Sequence, residues 1–352
     1  MAYLTLKGIG ISGLSVAVPE NTIDNYQFTA HFSKNDVKEV IEKIGVFERR
    51  FVTGDTTAAD LCQAAAEKLL TELEIDRTTI DVLLFVSQTP DYKMPASAII
   101  LQEKLGLNKS TLAFDINMGC AGFIHGLSVA YSYLLQPHIN RVLLLDGETR
   151  SKVYSPKDRK TAFIFGDAGA AALIEKNEAF GESFFSINSD GSRSHLIRID
   201  AGGYRNPSSV ETLKEKVRDE YGNTRSDEQG YMNGPDVFNF LIREVPKDIK
   251  FLFEKSGIYS QEIDYWIFHQ ANLYMNKYLM KKLKLDPSVV PTSIEKFGNT
   301  SSVSIPLTIT SNLQEELKQK KKLLLSGFGV GMSWATAILN FNNCYIPDLV
   351  EI

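Results

Sequence analysis

Two strand-like segments recur in this chain at nearly the same separation, and that repetition constrains its folding more than any other feature. Ile80-Asp81-Val82-Leu83-Leu84-Phe85 resembles Ile263-Asp264-Tyr265-Trp266-Ile267-Phe268, 183 positions on. Leu143-Leu144-Leu145-Asp146-Gly147 resembles Leu323-Leu324-Leu325-Ser326-Gly327, 180 positions on. A single pair means little, because apolar strands look alike. Two pairs in the same order at constant spacing point to a duplicated α/β unit. The expected halves are residues 1–180 and 181–352. If they pack about a pseudo-twofold axis, equivalent segments meet near the centre. A shift of 180 carries Cys120 to Thr300, beside Asn299, and His269 follows the strand equivalent to Val82–Val86. Three residues far apart in sequence are thereby expected to converge.

The remaining pattern agrees with α/β layers. Strands are expected at 80–87, 142–145, 170–174, 265–268, 323–325 and 335–341, and helical spacing runs over 57–73 and 237–256. The 352 residues are 43% apolar, enough for a large core. Net charge is -5 and the basic residues are scattered, which argues against a nucleic-acid partner. The run Lys318-Gln319-Lys320-Lys321-Lys322 reads as a solvated helix end. Cys62, Cys120 and Cys344 are too few and too odd in number for a disulfide framework, so a reducing, cytoplasmic setting is expected. The first residues do not read as a secretory leader, and no stretch approaches the roughly 20 apolar residues of a membrane helix.

Cys120 lies in Asn117-Met118-Gly119-Cys120-Ala121-Gly122-Phe123, ahead of a helix-like run from Ala121 to Tyr133. Small neighbours allow close backbone approach, and a helix N-terminus favours the thiolate. Its N–H groups also suit an acyl oxyanion. Cys62 and Cys344 read as structural, the commoner fate of a free cysteine. His269 closes an apolar strand, where α/β proteins place reacting groups, and Gln270, Ala271 and Asn272 follow it. Among the other histidines, His125 is nearest to Cys120 in sequence. Gly298-Asn299-Thr300-Ser301 is by itself a turn or a cap. Beside a thiol and an imidazole, Asn299 becomes a neutral hydrogen-bond donor to an oxyanion, which an ionised Asp could not be. The loop Phe165-Gly166-Asp167 lacks Gly-Lys-Ser/Thr and runs into a strand, so close packing is expected rather than phosphate binding. The glycines from Gly327 to Gly331 lack the following helix of a dinucleotide site, but a backbone N–H there could complete an oxyanion hole.

Taken in order, these segments resemble the β-ketoacyl-acyl-carrier-protein synthase III family of thiolase-superfamily condensing enzymes. The resemblance spans nearly the whole chain. It includes Gly45-Val46-Phe47-Glu48-Arg49-Arg50, Met94-Pro95-Ala96-Ser97, the Cys120 segment, Asp158-Arg159, Phe165-Gly166-Asp167, His269-Gln270-Ala271-Asn272, Gly298-Asn299-Thr300-Ser301 and the glycines before Trp334. It implies a five-layered α-β-α-β-α fold from two duplicated halves, assembled as a homodimer. It implies acyl transfer to Cys120, then decarboxylative condensation with a malonyl thioester on acyl carrier protein, with His269 and Asn299 holding the enolate. The oxyanion hole would be the backbone N–H groups of Cys120 and Val330. Met94, Phe165 and Phe328 would line the acyl pocket, Met94 from the partner subunit. Lys43, Arg159, Gln270, Asn272 and Tyr274 would meet the acyl-CoA or the acyl carrier protein. No metal, nucleotide or redox cofactor is implied.

Departures from the family pattern concern what the site is fed. Glu39 and Lys43 stand where a Trp and an Arg often grip the CoA adenine, and Tyr274 stands where an Arg often contacts the carrier protein. Met94 replaces a common Phe, and a flexible Met admits a different chain. The charged stretch from Gly202 to Gly230 reads as an insertion, a surface lid or partner contact. A specialised pathway is therefore comparable with housekeeping fatty-acid initiation. Three other readings compete. One is an acyltransferase that passes the acyl group to an alcohol or amine, against which Asn299 argues. Another is a papain-like cysteine protease, whose Cys-Gly-x-Cys-Trp context is missing. The third is a non-enzymatic partner of an active homologue, which would be free to lose the Cys-His-Asn set.

Overall fold

Strand parity explains the architecture of the chain, whose residues 2–352 are described by a computed structural model. The strands of the two main sheets are β1 (Ala2–Lys7), β2 (Ile9–Val18), β3 (Val82–Val86), β4 (Leu112–Ile116), β5 (Arg141–Thr149), β6 (Asp167–Lys176), β7 (Glu182–Ser189), β8 (Tyr265–Phe268), β9 (Lys321–Gly329), β10 (Ser333–Phe341) and β11 (Val350–Glu351). The principal helices are α1 (Ala58–Glu72), α2 (Ser97–Lys104), α3 (Gly122–Leu134), α4 (Gly234–Ser256), α5 (Leu273–Leu283) and α6 (Ser304–Asn312). On β3, Val82, Leu84 and Val86 face one core, while Leu83 and Phe85 face another. The first core holds Phe123, Ile124 and Leu127 of α3 with Ile305 and Ile309 of α6. The second holds Leu61, Ala65 and Leu69 of α1 with Leu101 of α2. A period of two on a strand buried on both faces requires helices on both sides.

The second sheet repeats this. Ile267, Leu323 and Leu325 join the central core, and Trp266, Phe268 and Leu324 turn outward to Leu241, Leu252 and Leu279 of α4 and α5. The layers are therefore α1/α2, sheet, α3/α6, sheet, α4/α5, the five layers expected. Strand orders match as well. One sheet runs β11-β2-β6-β5-β3-β4 and the other β1-β7-β10-β9-β8. In each, the strand order contains two antiparallel steps followed by a parallel one, through β2-β6-β5-β3 and through β7-β10-β9-β8. The chain's ends are exchanged: β1 pairs with β7, and β11 with β2.

The ladders refine the repeat. Leu83 pairs with Leu143, and Trp266 with Leu324. Leu143 faces outward, as Leu324 does, whereas Leu323 faces the central helices. A slip of one residue reverses the face, so the true counterpart of Leu143 is Leu324. The counterpart of Cys120 then moves from Thr300 to Ser301, 181 positions on.

Local signals fix the helix ends. Thr57 and Asp60 form a capping box ahead of α1, and Asn233 caps α4, which ends at Gly257 in the left-handed region. The 202–230 stretch is not a free loop. It carries a two-residue hairpin and is tied to the 157–160 segment by ion pairs of Arg225 with Asp158, Lys157 with Glu215 and Lys160 with Asp219. No described helix is long and apolar enough to cross a membrane.

Candidate active site

Cys120 sits between the end of β4 and the start of α3, against the last residues of β9. A Cβ on Gly329 would lie 2.7 Å from both Cβ and Sγ of Cys120, so only glycine lets that strand approach. Burial pushes the Cys120 thiol up. The charge of His269, a hydrogen bond with it, the Arg150 guanidinium and the Val330 backbone N–H outweigh burial and bring the pKa down from 9.0 to about 7. These groups stabilise the thiolate; the sequence pointed instead to the helix terminus.

His269 follows β8 and is 1% exposed. Its backbone N–H donates to the Ser326 carbonyl at 2.8 Å, which extends the β8–β9 ladder by one bond. Nδ1 is 2.7 Å from Ser304 Oγ, and that oxygen also accepts the Gln270 N–H at 3.2 Å. With Nδ1 engaged, Nε2 is the ring nitrogen left for Cys120. The Phe328 ring meets the imidazole edge to face at 5.5 Å and fixes its plane.

Asn299 is held by its backbone between Ile164 and Gly166, donating to the Ile164 carbonyl at 2.8 Å and accepting the Gly166 N–H at 3.1 Å. Gly298 has φ +65°, and a Cβ there would strike the Ile164 carbonyl at 2.6 Å. Asn299 Oδ1 accepts the Ser301 N–H at 2.9 Å. That bond identifies the oxygen and leaves Nδ2 as the donor, 3.4 Å from the Ala271 carbonyl. Ser301 itself has φ +57°, an uncommon conformation for a residue with a side chain.

One part of the site was not anticipated from the sequence. Arg150 is 7% exposed and pairs with fully buried Glu148 at 2.8 Å. The same Nη2 also reaches Gln88 Oε1 and Ser301 Oγ, each at 3.0 Å. Ser301 Oγ in turn donates to Cys120 Sγ at 3.9 Å. Gln88 Nε2 continues the network to Asn117 Oδ1 at 3.2 Å. A signal existed: alternation along β5 places Glu148 on the same face as Val142 and Leu144, which turns inward, and Arg150 follows directly after the strand. Ser304 was likewise passed over, as one serine among several.

Cys120, His269 and Asn299 open onto one cavity of about 1110 Å³. Val330, Phe165, Phe328, Lys43, Asn272 and Tyr274 line it too. The other expected residues lie elsewhere. Gln270 is fully buried, donating to the Phe268 carbonyl at 2.7 Å and accepting the Ser293 N–H at 3.3 Å, so it braces the turn after β8. Arg159 turns to Asp36 at 3.5 Å and Glu39 at 3.6 Å. Met94 is 75% exposed, away from its own chain's cavity. His125 is tied at Nδ1 to the Ala121 carbonyl at 2.9 Å, and burial holds its pKa down.

Comparisons with known proteins identify the family. Residues 114–191 match the family described as 3-oxoacyl-[acyl-carrier-protein (ACP)] synthase III, and residues 253–341 match its C-terminal description. A 3-oxoacyl-[acyl-carrier-protein] synthase 3 of Campylobacter jejuni is 36% identical over 97% of this chain and 96% of its own. A β-ketoacyl-[acyl-carrier-protein] synthase III of Fusobacterium nucleatum is 31% identical over 96% of this chain and 99% of its own. The crystal structure of a 3-oxoacyl-(acyl-carrier protein) synthase from Burkholderia xenovorans superposes with a TM-score of 0.93 and 39% identity, over 100% of this chain and 99% of that one. The chain belongs to the 3-oxoacyl-[acyl-carrier-protein] synthase III family of thiolase-like condensing enzymes.

Proposed function

We propose that the protein is a β-ketoacyl synthase that joins an acyl primer to a malonyl thioester carried by acyl carrier protein. The observation that carries this reading is the convergence of Cys120, His269 and Asn299 on one cavity, with the thiol already brought to about 7. In the first half-reaction the Cys120 thiol gives its proton to His269 Nε2. Sγ then attacks the primer's thioester carbon. The backbone N–H groups of Cys120 and Val330 take the oxyanion, and the donor's C–S bond breaks. The leaving thiolate is protonated from solvent, and Nε2 keeps the proton taken from Cys120.

In the second half-reaction the malonyl thioester loses CO2, and the bonding pair becomes an enolate. Nε2–H of His269 and Nδ2–H of Asn299 hydrogen-bond its oxygen. The enolate carbon attacks the acyl-Cys carbonyl, a C–C bond forms, and the bond to Sγ breaks. The thiolate is released and takes its proton back from Nε2. Met94, exposed on its own chain, fits a homodimer in which it completes the neighbouring acyl pocket. Lys43 and Tyr274 at the cavity wall fit contacts with the donor or carrier. Arg159, turned towards two carboxylates, is a weaker fit to a CoA phosphate. A cytoplasmic setting accords with three unpaired cysteines.

Intact mass after incubation with acyl-CoA or acyl carrier protein thioesters tests the nucleophile: wild type gains one acyl group and Cys120→Ser gains none. Full labelling of that variant would remove Cys120 from the mechanism. His269→Ala and Asn299→Ala should still be acylated yet fail to release CO2 from the malonyl thioester. CO2 release at the wild-type rate from both would refute their roles, whereas an acylated wild type that releases no CO2 would favour transfer to an alcohol or amine.

A further inference from the structure

The wall beside Cys120 is more polar than an alkyl primer requires. Arg150 is more than nine-tenths buried and lines the cavity. All its hydrogen bonds run through Nη2. Nε is buried with no partner, and Nη1 makes no hydrogen bond among the described residues. The Tyr154 hydroxyl, stacked over Phe165 on the same wall, also lacks a partner there. Nε is sealed from the cavity, so the free donors a ligand can reach are Nη1 and the Tyr154 hydroxyl, and a native site usually has a use for such donors.

Their position is specific. Ser301 Oγ stands 3.9 Å from Cys120 Sγ and 3.0 Å from Arg150 Nη2, so the guanidinium lies no farther from the sulfur than those two distances end to end. At about 1.5 Å per carbon–carbon bond, that span covers the first four carbons of an acyl chain on Sγ. Glu148 already balances the charge of Arg150, and buried Asp146 is near enough to act on it electrostatically. A second carboxylate would add negative charge beside two acids and the thiolate. A neutral oxygen would take up the free donors without that repulsion.

Resting on the condensing reading above, we infer that the primer is an acyl group with a neutral oxygen, ketone or hydroxyl, within its first four carbons, and that Arg150 and Tyr154 select it.

The test compares acyl-enzyme formation on Cys120, by intact mass over time, from butanoyl-, 3-hydroxybutanoyl-, acetoacetyl- and succinyl-CoA. All four present the same four-carbon length. An oxygenated neutral primer should outpace butanoyl by at least about tenfold, the usual yield of a hydrogen bond to a charged donor. Arg150→Met paired with Glu148→Gln, which leaves no unpaired buried charge, should collapse that ratio towards one. Equal rates in wild type, or succinyl as the fastest primer, would overturn the inference and leave the condensing function standing. A uniform slowing of all four in the double variant would overturn it too, since Arg150 would then serve only the thiolate. No acylation of wild type by any primer would count against the condensing reading itself. The wild-type comparison needs no variant, so a failure of the double variant to fold does not rescue the idea.

Discussion

The sharpest test of the site is the pH dependence of Cys120 alkylation. The thiol's shift from 9.0 to about 7 is opposed by burial and produced by His269, Arg150 and the Val330 N–H. Two pH units correspond to ~2.7 kcal/mol of preference for the thiolate. At pH 7 about half of Cys120 is then ionised, against about 1% of an unperturbed thiol. A less basic thiolate is a poorer nucleophile, and a Brønsted slope near 0.45 takes back about eightfold over two units. The expected advantage at pH 7 is therefore only about sixfold, so the shape of the curve is the stronger readout. Iodoacetamide trapping followed by intact mass should give a midpoint near 7 and a plateau above about pH 8. Cys62 and Cys344, buried with their thiols pushed up, should stay unlabelled and serve as internal controls. In His269→Ala the midpoint should rise by about one unit or more, since a favourable charge and a hydrogen bond are both lost. A wild-type midpoint above about 8.5, or an unmoved midpoint in the variant, would refute the electrostatic account. Stability follows the same sign. A thiol depressed on folding adds its full increment above the unfolded value near 9 and loses it as pH falls through about 7, leaving roughly 0.4 kcal/mol at pH 7.

Three further perturbations follow from the geometry. Gly329→Ala places a methyl 2.7 Å from Cys120 Sγ. It should cost about 1–3 kcal/mol in denaturant unfolding and slow alkylation sharply, and a wild-type alkylation rate would contradict that contact. Ser304→Ala leaves His269 Nδ1 and the Gln270 N–H without their shared partner. Turnover should fall about tenfold with a displaced pH–rate profile, and Ser304→Thr should restore part of it; an unshifted profile would make the serine merely structural. Arg225→Met leaves buried Asp158 without its cation, about 3 kcal/mol against the native docking of the 202–230 segment. Limited proteolysis should then cut within 202–230, and unchanged protection would show that the ion pair does not hold it.

How much of this was legible in the sequence depended on whether local chemistry agreed with the ladder. Tyr265–Phe268 is an apolar run bounded by Asp264 and His269, and its limits were read to the residue. β9 was read as Leu323–Leu325 but spans Lys321–Gly329. Lysines open it and glycines close it, which look unlike a strand, yet nine consecutive residues pair with β10. The triad was legible because its flanking segments are distinctive. Arg150 and Glu148 were not, since a charged pair at a strand end reads as solvated surface until the layer above it is known. Gln270 misled in the opposite direction. Its place beside His269 suggested substrate contact, whereas its amide spans from the Phe268 carbonyl to the Ser293 N–H inside the fold.

The one-residue correction to the repeat changes the view of the site's symmetry. A shift of 180 set a reactive thiol against a threonine. The shift of 181 demanded by strand parity sets Cys120 against Ser301, which precedes α6 much as Cys120 precedes α3. The two side chains stand 3.9 Å apart. The axis relating the halves therefore passes close to the reacting sulfur. In one copy the position carries the thiol. In the other it carries a hydroxyl that donates to that thiol and accepts from Arg150, while its backbone N–H orients Asn299. Three contacts from one residue over-determine its placement, which accounts for a serine held at φ +57° at a cost of about 1–3 kcal/mol. Duplication thus brought two equivalent backbones to one point, and their divergence into Cys120 and Ser301 made a nucleophile and its support.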